Sequence, residues 1–294
     1  MAADKYLFDK YRVIRGKSFR LKDIDPDDDG PRGLKKVAGE RLAAGIAKLS
    51  RAQEKLYAQD QWALLLIFQA MDGAGKDSTI RHVMSGVNPQ GVQVYSFKAP
   101  SAEELDHDYL WRTNRALPER GRIGIFNRSY YEETLVVRVH PEYLNAQRLP
   151  ATLVGKNIWK DRFEDINANE RYLTRNGIAI RKFFLYVSKE EQRRRFLSRL
   201  EEPKKNWKFS ERDVEERKLW PEYMKAYEDM IRHTATEHAP WFVIPADHKW
   251  FMRLVVSEVI VDALDSLDLH FPKVSPERRI ELEAARIALE REGK

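Results

Sequence analysis

The chain has 294 residues, a formal net charge of +6, 43% hydrophobic residues and no cysteine. This length suits one large α/β domain or two small ones, and the lack of cysteine excludes disulfides and thiolate metal sites. No apolar run reaches membrane-spanning length and the N-terminus has no signal-peptide core, so we expect a cytoplasmic protein that does not span a membrane. The basic charge predicts an anionic partner, and composition leaves open nucleic acid, a membrane surface, a small polyanion, or a basic surface kept for solubility.

The first 59 residues precede the predicted sheet. Residues 1–33 are expected to form an N-terminal extension over the main domain, with an acidic turn at 25–30. Residues 34–59 carry apolar side chains at helical spacing, and this pattern predicts an amphipathic helix leading into the first strand.

The stretch 62–80 combines an apolar run of strand length, a turn with two glycines, Lys76 and a helix-compatible segment. This order is typical of a strand, a phosphate-binding loop and a helix start, because backbone N–H groups, a helix dipole and an ammonium together bind phosphate. The match to the Walker A pattern G-x-x-x-x-G-K-[ST] is imperfect, with Ala70 replacing the first glycine and Asp77 replacing the hydroxyl residue. The predicted phosphate-binding residues here are Gly73, Ala74, Gly75, Lys76, Asp77 and Ser78.

Two carboxylates, Asp72 and Asp77, flank this loop. Bare carboxylates repel phosphate, so we infer a bridging Mg²⁺, with Mn²⁺ as a substitute. We assign Asp72 as the metal ligand and Ser78 or Thr79 as a hydroxyl partner. The alternative is a glycine-bearing turn between strand and helix with a solvated lysine.

Strand-like runs recur after this loop and alternate with helix-compatible stretches. The strand-like runs are 91–97, 122–127, 178–187 and 241–245, and the helix-compatible stretches are 76–86, 101–117, 155–175, 188–200 and 248–269. Such alternation predicts an α/β fold of three layers, with a five-stranded parallel sheet covered by helices on both faces. We treat 34–270 as one domain, the size of a nucleotide-kinase core.

The third strand is predicted to end at Asn127 and Arg128, at the edge where open α/β sheets bind ligands. P-loop folds commonly place a carboxylate near the metal at this point, so Asp72, with Glu132 or Glu133, would supply the charge that Asn127 lacks. The planar guanidinium of Arg128 suits phosphate oxygens, and an ion pair with Glu132 at i,i+4 spacing is the alternative.

Further basic residues extend the predicted anion site. Arg112, within 101–117, is a candidate for an acceptor phosphate, although aromatic pairs on helices are usually core. Arg195 and Arg199 share a helix face, and like charges at this spacing favour an anion between them. Lys208 continues the basic face, and a solvated run of charge is the alternative reading of the whole set.

Two helical segments follow. Residues 201–235 are polar, basic and interrupted by proline, which favours a lid over the site; a surface hairpin with core aromatics is the alternative. Residues 271–294 are predicted as a C-terminal helix docked on the body or on another subunit.

With these residues in view, the chain resembles the family-2 polyphosphate kinases over nearly its whole length. The stretches that carry the resemblance are 69–77, 108–112, 126–132, 182–185, 206–209 and 239–247. This ordered set is more specific than any single motif. The departures at Ala70, Asp77 and Asn127 fit the family, Asn127 in place of aspartate resembles its class III branch, and Ser78 replaces a more usual glycine.

The resemblance implies a P-loop kinase core with a helical lid, Mg²⁺ dependence and a homo-oligomer, either dimer or tetramer. It implies phosphoryl transfer from polyphosphate to AMP and ADP, with GMP and GDP as further candidate acceptors and no nucleic-acid partner. It assigns Asp72 and Lys76 to the catalytic loop, Arg128 to the phosphates, and Arg195, Arg199 and Lys208 to the lid and its base. The expected nucleotide-binding residues are Arg112, Asn127, Arg128 and Glu132.

The residues themselves agree with this chemistry. An acceptor phosphate oxygen is already anionic, so the difficulty lies in bringing two polyanions together, and Mg²⁺ with Lys76 and Arg128 would neutralise them. Two rivals remain: an ATP-dependent nucleotide kinase on the same fold, and a single-stranded nucleic-acid binder suggested by the basic and aromatic residues around 193–227.

Overall fold

The computed structural model describes residues 6–292 and shows one mixed sheet of six strands. The strands are β1 (Arg12–Val13), β2 (Ala63–Gln69), β3 (Val92–Ser96), β4 (Ile123–Asn127), β5 (Ile178–Tyr186) and β6 (Trp241–Pro245). Their order is β1-β6-β5-β2-β4-β3; all neighbours run parallel except β1 and β6. The five predicted parallel strands are confirmed. The sixth, β1, was missed because two residues carry no detectable alternation.

Strand β2 is central and all seven of its residues are buried. It pairs with β4 on one side, where Phe68 lies opposite Asn127, and with β5 on the other. Because the carboxyl ends of parallel strands share one sheet edge, the residues after β2 and after β4 emerge side by side. This register brings the loop before Lys76 next to Arg128.

Eleven α-helices are described. They are α1 (Leu34–Gln59), α2 (Lys76–Val83), α3 (Ala102–Leu105), α4 (Trp111–Asn114), α5 (Val136–Val139), α6 (Ile158–Arg175), α7 (Lys189–Glu201), α8 (Glu211–Lys218), α9 (Trp220–Thr234), α10 (Lys249–Asp265) and α11 (Pro276–Glu292). Helices α1 and α2 pack against α10, α6 packs against α9, and β5 contacts both α6 and α10. The predicted three-layer arrangement is therefore confirmed.

The stretch 101–117 was predicted as one helix and forms two short ones, α3 and α4. Ser101 caps α3 in a reciprocal box with Glu104. Asp108 then accepts the backbone N–H of Leu110 at 2.9 Å, an Asx turn that competes with a continuous helix. The side-chain turn at Asp108 therefore interrupts the helix that the wider pattern indicated.

The described part of the N-terminal extension joins the core. Phe8 and Tyr11 are buried, and Phe8 meets Phe242 of β6 edge to face. The backbone N–H of Leu21 donates to Glu228 on α9 at 2.7 Å. The extension therefore contributes apolar contacts as well as strand β1.

The C-terminal helix α11 has no buried residue, so the structure does not place it against the body. Docking on another subunit stays a prediction. None of the helices described within residues 6–292 combines the length and apolar character needed to cross a membrane.

Candidate active site

The phosphate loop, residues 70–75, connects β2 to α2. Gly73 and Gly75 have φ of +84° and +106°, in the left-handed region that favours glycine. A Cβ atom added to Gly73 would also lie 2.9 Å from a ring carbon of Phe196 on α7. Backbone conformation and close packing therefore both require glycine at position 73.

Lys76 opens α2 and is 8% exposed. Its Nζ donates to the carbonyl of Ala70 at 2.8 Å, which holds the ammonium at the carboxyl end of β2. Burial lowers the pKa of Lys76, and the negative charge of Asp72 opposes that shift. The result is a desolvated cation at the sheet edge, where it can contact an incoming anion.

Asp72 pairs with Arg128 across this edge, with Arg128 Nη2 3.0 Å from Asp72 Oδ1. Burial raises the pKa of Asp72, but the charges of Lys76, Arg128 and Arg199 together hold it below its usual value. Asp72 is therefore ionised at neutral pH. The observed partner of Arg128 is Asp72, whereas the alternative considered from sequence was Glu132.

Arg128 lies directly after β4 with φ of +66°, a conformation uncommon for a residue with a side chain. Its backbone N–H donates to Phe68 of β2 at 3.0 Å. The preceding residue, Asn127, donates from Nδ2 to Asp77 Oδ1 at 2.6 Å. Positions 127 and 128 thus connect β4 to both the phosphate loop and α2.

A cleft of about 770 Å³, here called the basic cleft, opens over the phosphate loop. Its charged lining residues are Asp72, Lys76, Asp77, Lys98, Arg128, Glu191, Arg194, Arg195, Arg199, Lys205 and Lys249. Cations outnumber carboxylates in this lining, so the cleft suits a polyanion.

A second cleft of about 620 Å³, here called the aromatic cleft, shares Asp72, Phe97, Lys98 and Arg128 with the first. Its further apolar and aromatic lining includes Met71, Leu105, Val136, Val137, Tyr143, Tyr223 and Tyr227. Charged residues, among them Arg112, Glu132 and Asp213, also line it, and apolar surface combined with placed polar groups is typical of a site for an organic ligand. The two clefts therefore differ in chemistry and meet at the Asp72–Arg128 pair.

Arg112 and Glu132, both predicted to bind nucleotide, line the aromatic cleft. Arg112 Nη1 donates to the carbonyl of Lys98 at 2.8 Å, and its guanidinium lies 5.5 Å from the centre of the Phe97 ring. Burial raises the pKa of Glu132 despite the nearby charges of Arg128 and Lys76. Arg112 is thus held near the junction of the clefts by α4.

Arg195 lines the basic cleft, but all five of its N–H donors are engaged within the protein. Nη1 donates to the carbonyls of Gly73 and Ala74, Nη2 to those of Ala246 and Asp247, and Nε to Glu191 Oε1, at 2.6 to 3.0 Å. This arginine therefore connects the phosphate loop to α7 and to the segment after β6. A direct phosphate contact would have to displace one of these bonds.

Arg199 lies one turn further along α7, with Nη1 3.5 Å from Asp213 Oδ2 on α8. Helix α8 has no buried residue, whereas α9 buries Tyr223, Tyr227 and Met230. Tyr223 and Tyr227 are thus buried and also line the aromatic cleft, and both the lid and the hairpin interpretation of 201–235 stay predictions. Lys208 ends the short 3₁₀ helix Pro203–Lys208, and its side chain lies outside the described part of the chain.

The carboxylates of the site fit a hard divalent cation. Asp72 and Asp77 both line the basic cleft, and Mg²⁺ prefers one or two carboxylates completed by phosphate oxygens and water. Within residues 6–292 no three His, Asp or Glu side chains form a group that could hold a metal unaided. Ser78 lines the cleft while Thr79 is fully buried, so Ser78 is the accessible hydroxyl of the pair considered.

Sequence reasoning missed two contributors to this site. Gln192 on α7 donates from Nε2 to the backbone carbonyl of Asp72 at 2.8 Å, three residues before Arg195 on the same helix face. Lys98, just after β3, lines both clefts. Its signal was present in the sequence, because it follows a predicted strand at the ligand-binding edge of the sheet.

Comparisons with known proteins agree with this geometry. The family model of polyphosphate kinase 2 matches residues 34–272. The ADP-polyphosphate phosphotransferase of Rhodopseudomonas palustris is 55% identical over 83% of this chain and 84% of that protein. The AMP/ADP-polyphosphate phosphotransferase of Meiothermus ruber is 46% identical over 90% and 95%.

A solved structure supports the same assignment. The crystal structure of polyphosphate kinase 2 from Arthrobacter aurescens TC1 matches with a TM-score of 0.84 and 40% identity, covering 94% of this chain and 96% of that one. The match extends over nearly the whole chain. The chain therefore belongs to the polyphosphate kinase 2 family.

Proposed function

We propose that this protein transfers phosphoryl groups from inorganic polyphosphate to AMP and ADP, giving ADP and ATP. The observation that carries the proposal is the meeting of the basic and aromatic clefts at Asp72 and Arg128. A phosphate polymer carries no base to bury, so it matches the basic cleft. A nucleotide carries both a base and a phosphate, so it matches the aromatic cleft, which Arg112 also lines. The activities after which the Meiothermus ruber and Rhodopseudomonas palustris relatives are named support these substrates.

The transfer itself needs no proton removed. A phosphate oxygen of AMP or ADP, already anionic, attacks the terminal phosphorus of polyphosphate and forms a new P–O bond. The bridging P–O bond to the shortened polyphosphate breaks, and its electron pair stays on that chain. Lys76 and Arg128 stabilise the charge on the transferred group and hold the reactants in line.

Asp72 and Asp77 are proposed to hold Mg²⁺, or Mn²⁺ in its place, with Ser78 as a hydroxyl partner. The bound cation supplies further neutralisation of the phosphate charge. Both carboxylates line the cleft proposed to bind the polyanion, and carboxylate oxygens are ligands that Mg²⁺ prefers; this supports the assignment.

The test is incubation with AMP and long-chain polyphosphate in Mg²⁺ buffer with no nucleoside triphosphate. We expect ADP and then ATP; an ATP-dependent kinase would give no product, which would refute the proposal. Salt-dependent oligonucleotide binding that survives Lys76→Ala, without phosphotransfer, would favour a nucleic-acid binder. Adding GMP and GDP as acceptors measures base selectivity.

We also propose that residues 202–218, rather than all of 201–235, act as the lid. This assignment is supported by the exposure of α8 and by the ion pair between Arg199 of α7 and Asp213 of α8, which links α8 to the body. The domain bounds 34–270 and a cytoplasmic location stay predictions.

A homo-oligomer is the last part of the proposal. Helix α11 exposes Ile280 and Ile287 at 73% and 44%; they are seven residues apart and so share one face, an apolar surface that a second subunit would cover. The oligomeric state of the full chain, compared by light scattering with a chain that ends at residue 273, tests it. We expect the shorter chain to dissociate, and an unchanged mass would refute the role of α11.

A further inference from the structure

Lys182 lies in the middle of β5 with no exposed surface, and its ammonium is completely enclosed. Its Nζ donates to Glu170 Oε2 at 2.6 Å, to the hydroxyl of Tyr131 at 2.9 Å and to the carbonyl of Thr234 at 2.7 Å. These three bonds use all three donors of the ammonium. A charged lysine is therefore fixed in the interior, away from both clefts.

Three of the stretches that carry the family resemblance converge on this ammonium. The rings of Tyr131 and Trp241 have their centres 5.3 and 5.1 Å from Nζ. The hydroxyls of Tyr130 and Tyr131 both donate to Glu170 Oε1, at 2.9 and 2.7 Å. The mechanism above uses none of these groups.

Global stability alone is a weak reason for such a network. Removing two charges from water is unfavourable, and well-packed apolar residues in place of a buried ion pair are commonly neutral or stabilising. What the ion pair provides is geometric specificity, because Lys182 Nζ donates to three fixed acceptors and Glu170 Oε1 accepts from two fixed tyrosine hydroxyls. We define the network as Lys182, Glu170, Tyr130 and Tyr131. Its fixed geometry suggests that it holds a neighbouring segment of the chain in place.

The position it fixes is next to Arg128. Tyr130 and Tyr131 follow Arg128 in the chain after a single residue, Ser129, whose hydroxyl accepts the backbone N–H of Tyr131 at 3.2 Å. Arg128 has φ of +66°, and such a conformation persists only where the surroundings over-determine it. The network anchors the C-terminal side of this turn, while the bond from Arg128 N–H to Phe68 anchors the N-terminal side.

We propose that the buried Lys182–Glu170–Tyr131 network is a positioning device that holds Arg128 in its left-handed conformation and so directs its guanidinium to the junction of the two clefts. This inference rests on the proposed function, in which Arg128 contacts the transferred phosphate. The network residues are positioning residues, since none of them lines either cleft.

The test is a double-mutant cycle of Tyr131→Phe and Arg128→Ala, assayed with AMP and polyphosphate. We expect Tyr131→Phe to lower kcat about tenfold to hundredfold while KM for AMP changes less than about twofold, as a misplaced catalytic group does. In the Arg128→Ala background the second substitution should then have no further effect on kcat. Full multiplicativity of the two effects, or a wild-type kcat for Tyr131→Phe, would overturn the proposal.

Ile166→Val is the matched control, because Ile166 is fully buried on α6 one turn before Glu170 and touches neither cleft. It should keep the wild-type kcat; a loss equal to that of Tyr131→Phe would mean general loosening and would also overturn the proposal. If Tyr131→Phe does not fold, Tyr130→Phe replaces it with the same deciding outcomes.

Hydrogen exchange of the amides at 128–132 provides a readout that needs no turnover. Faster exchange is expected in Tyr131→Phe and not in Ile166→Val. Unchanged exchange at 128–132 in Tyr131→Phe would refute the positioning role even if the wild type were active. An inactive wild type would instead refute the proposed function, and hydrogen exchange at 128–132 would then be the test of the positioning role.

Discussion

Arg195→Lys tests whether this arginine supports the phosphate loop or contacts phosphate itself. The substitution keeps the charge but reduces five N–H donors to three, so at least two of the five present acceptors lose their partner. An unsatisfied buried acceptor costs ~1–3 kcal/mol, giving a range of about 2–6 kcal/mol. The contacts to Gly73 and Asp247 are only partly buried, so water can replace them. We therefore expect a loss of unfolding free energy in the lower part of this range, about 2–4 kcal/mol.

Thermal unfolding is the assay for this prediction. A loss of about 2–4 kcal/mol corresponds to a fall in Tm of roughly 4–16 °C for a domain of this size class. We also expect kcat to fall, because the carbonyls of Gly73 and Ala74 lose the group that fixes the loop. The control is Arg194→Lys, whose side chain is 76% exposed and whose Tm should change little.

One result would refute the reasoning directly. If Arg195→Lys keeps the wild-type Tm while KM for polyphosphate rises, the guanidinium must bind the donor in solution. The bonds to the loop carbonyls would then be replaceable, and the sequence-based assignment of Arg195 to phosphate would stand.

Three further predictions address the loop and its carboxylates. Lys76→Met should lower kcat by ~10²–10³-fold, measured by ATP formation from polyphosphate; near-normal turnover would contradict the catalytic assignment. Because nearby cations hold the folded-state pKa of Asp72 below 3.8, its ionised form stabilises the fold above that pH, and this contribution is lost as pH falls through the lower value. Below about pH 4 the free energy of unfolding should therefore fall more steeply with decreasing pH in the wild type than in Asp72→Asn. Parallel plots of unfolding free energy against pH for the two proteins would count against the ion pair. Asn127→Asp places a second carboxylate against Asp77, so its Tm relative to wild type should be lower at pH 7 than at pH 5 and rise with Mg²⁺, whereas Asn127→Ala should show neither dependence.

The phosphate loop was predictable because its determinants are local. Seven apolar residues in a row, two glycines and a lysine define the strand, the turn and the cation without knowledge of the rest of the chain. The neighbourhood of Arg128 was also predictable, since adjacent parallel strands deliver their following residues to one edge. These features depend on sequence order and on the general geometry of α/β sheets.

Lys182 shows what local patterns do not contain. It interrupts an apolar strand, and a lysine there is ordinarily read as exposed because its charge is costly to bury. Its partners Glu170 and Thr234 lie on α6 and α9, so only the tertiary packing brings them to the ammonium. Strand β1 was missed for the same reason, because two residues become a strand only by pairing with β6.

Helix α7 explains why two arginines that looked equivalent have different surroundings. Gln192, Arg195 and Phe196 lie on the face that meets the phosphate loop: the first two donate to its carbonyls, and Phe196 would block a side chain at Gly73. One turn later the loop has ended, so Arg199 meets Asp213 of the exposed helix α8 instead. The i,i+4 spacing correctly predicted that Arg195 and Arg199 share a helix face. The length of the phosphate loop decides that Arg195 supports the loop, whereas Arg199 can respond to a ligand. On a basic helix face beside a phosphate loop, some cations therefore support the loop and others are accessible to a ligand. Arg195→Lys should mainly lower the Tm, whereas Arg199→Lys should mainly raise the KM for polyphosphate.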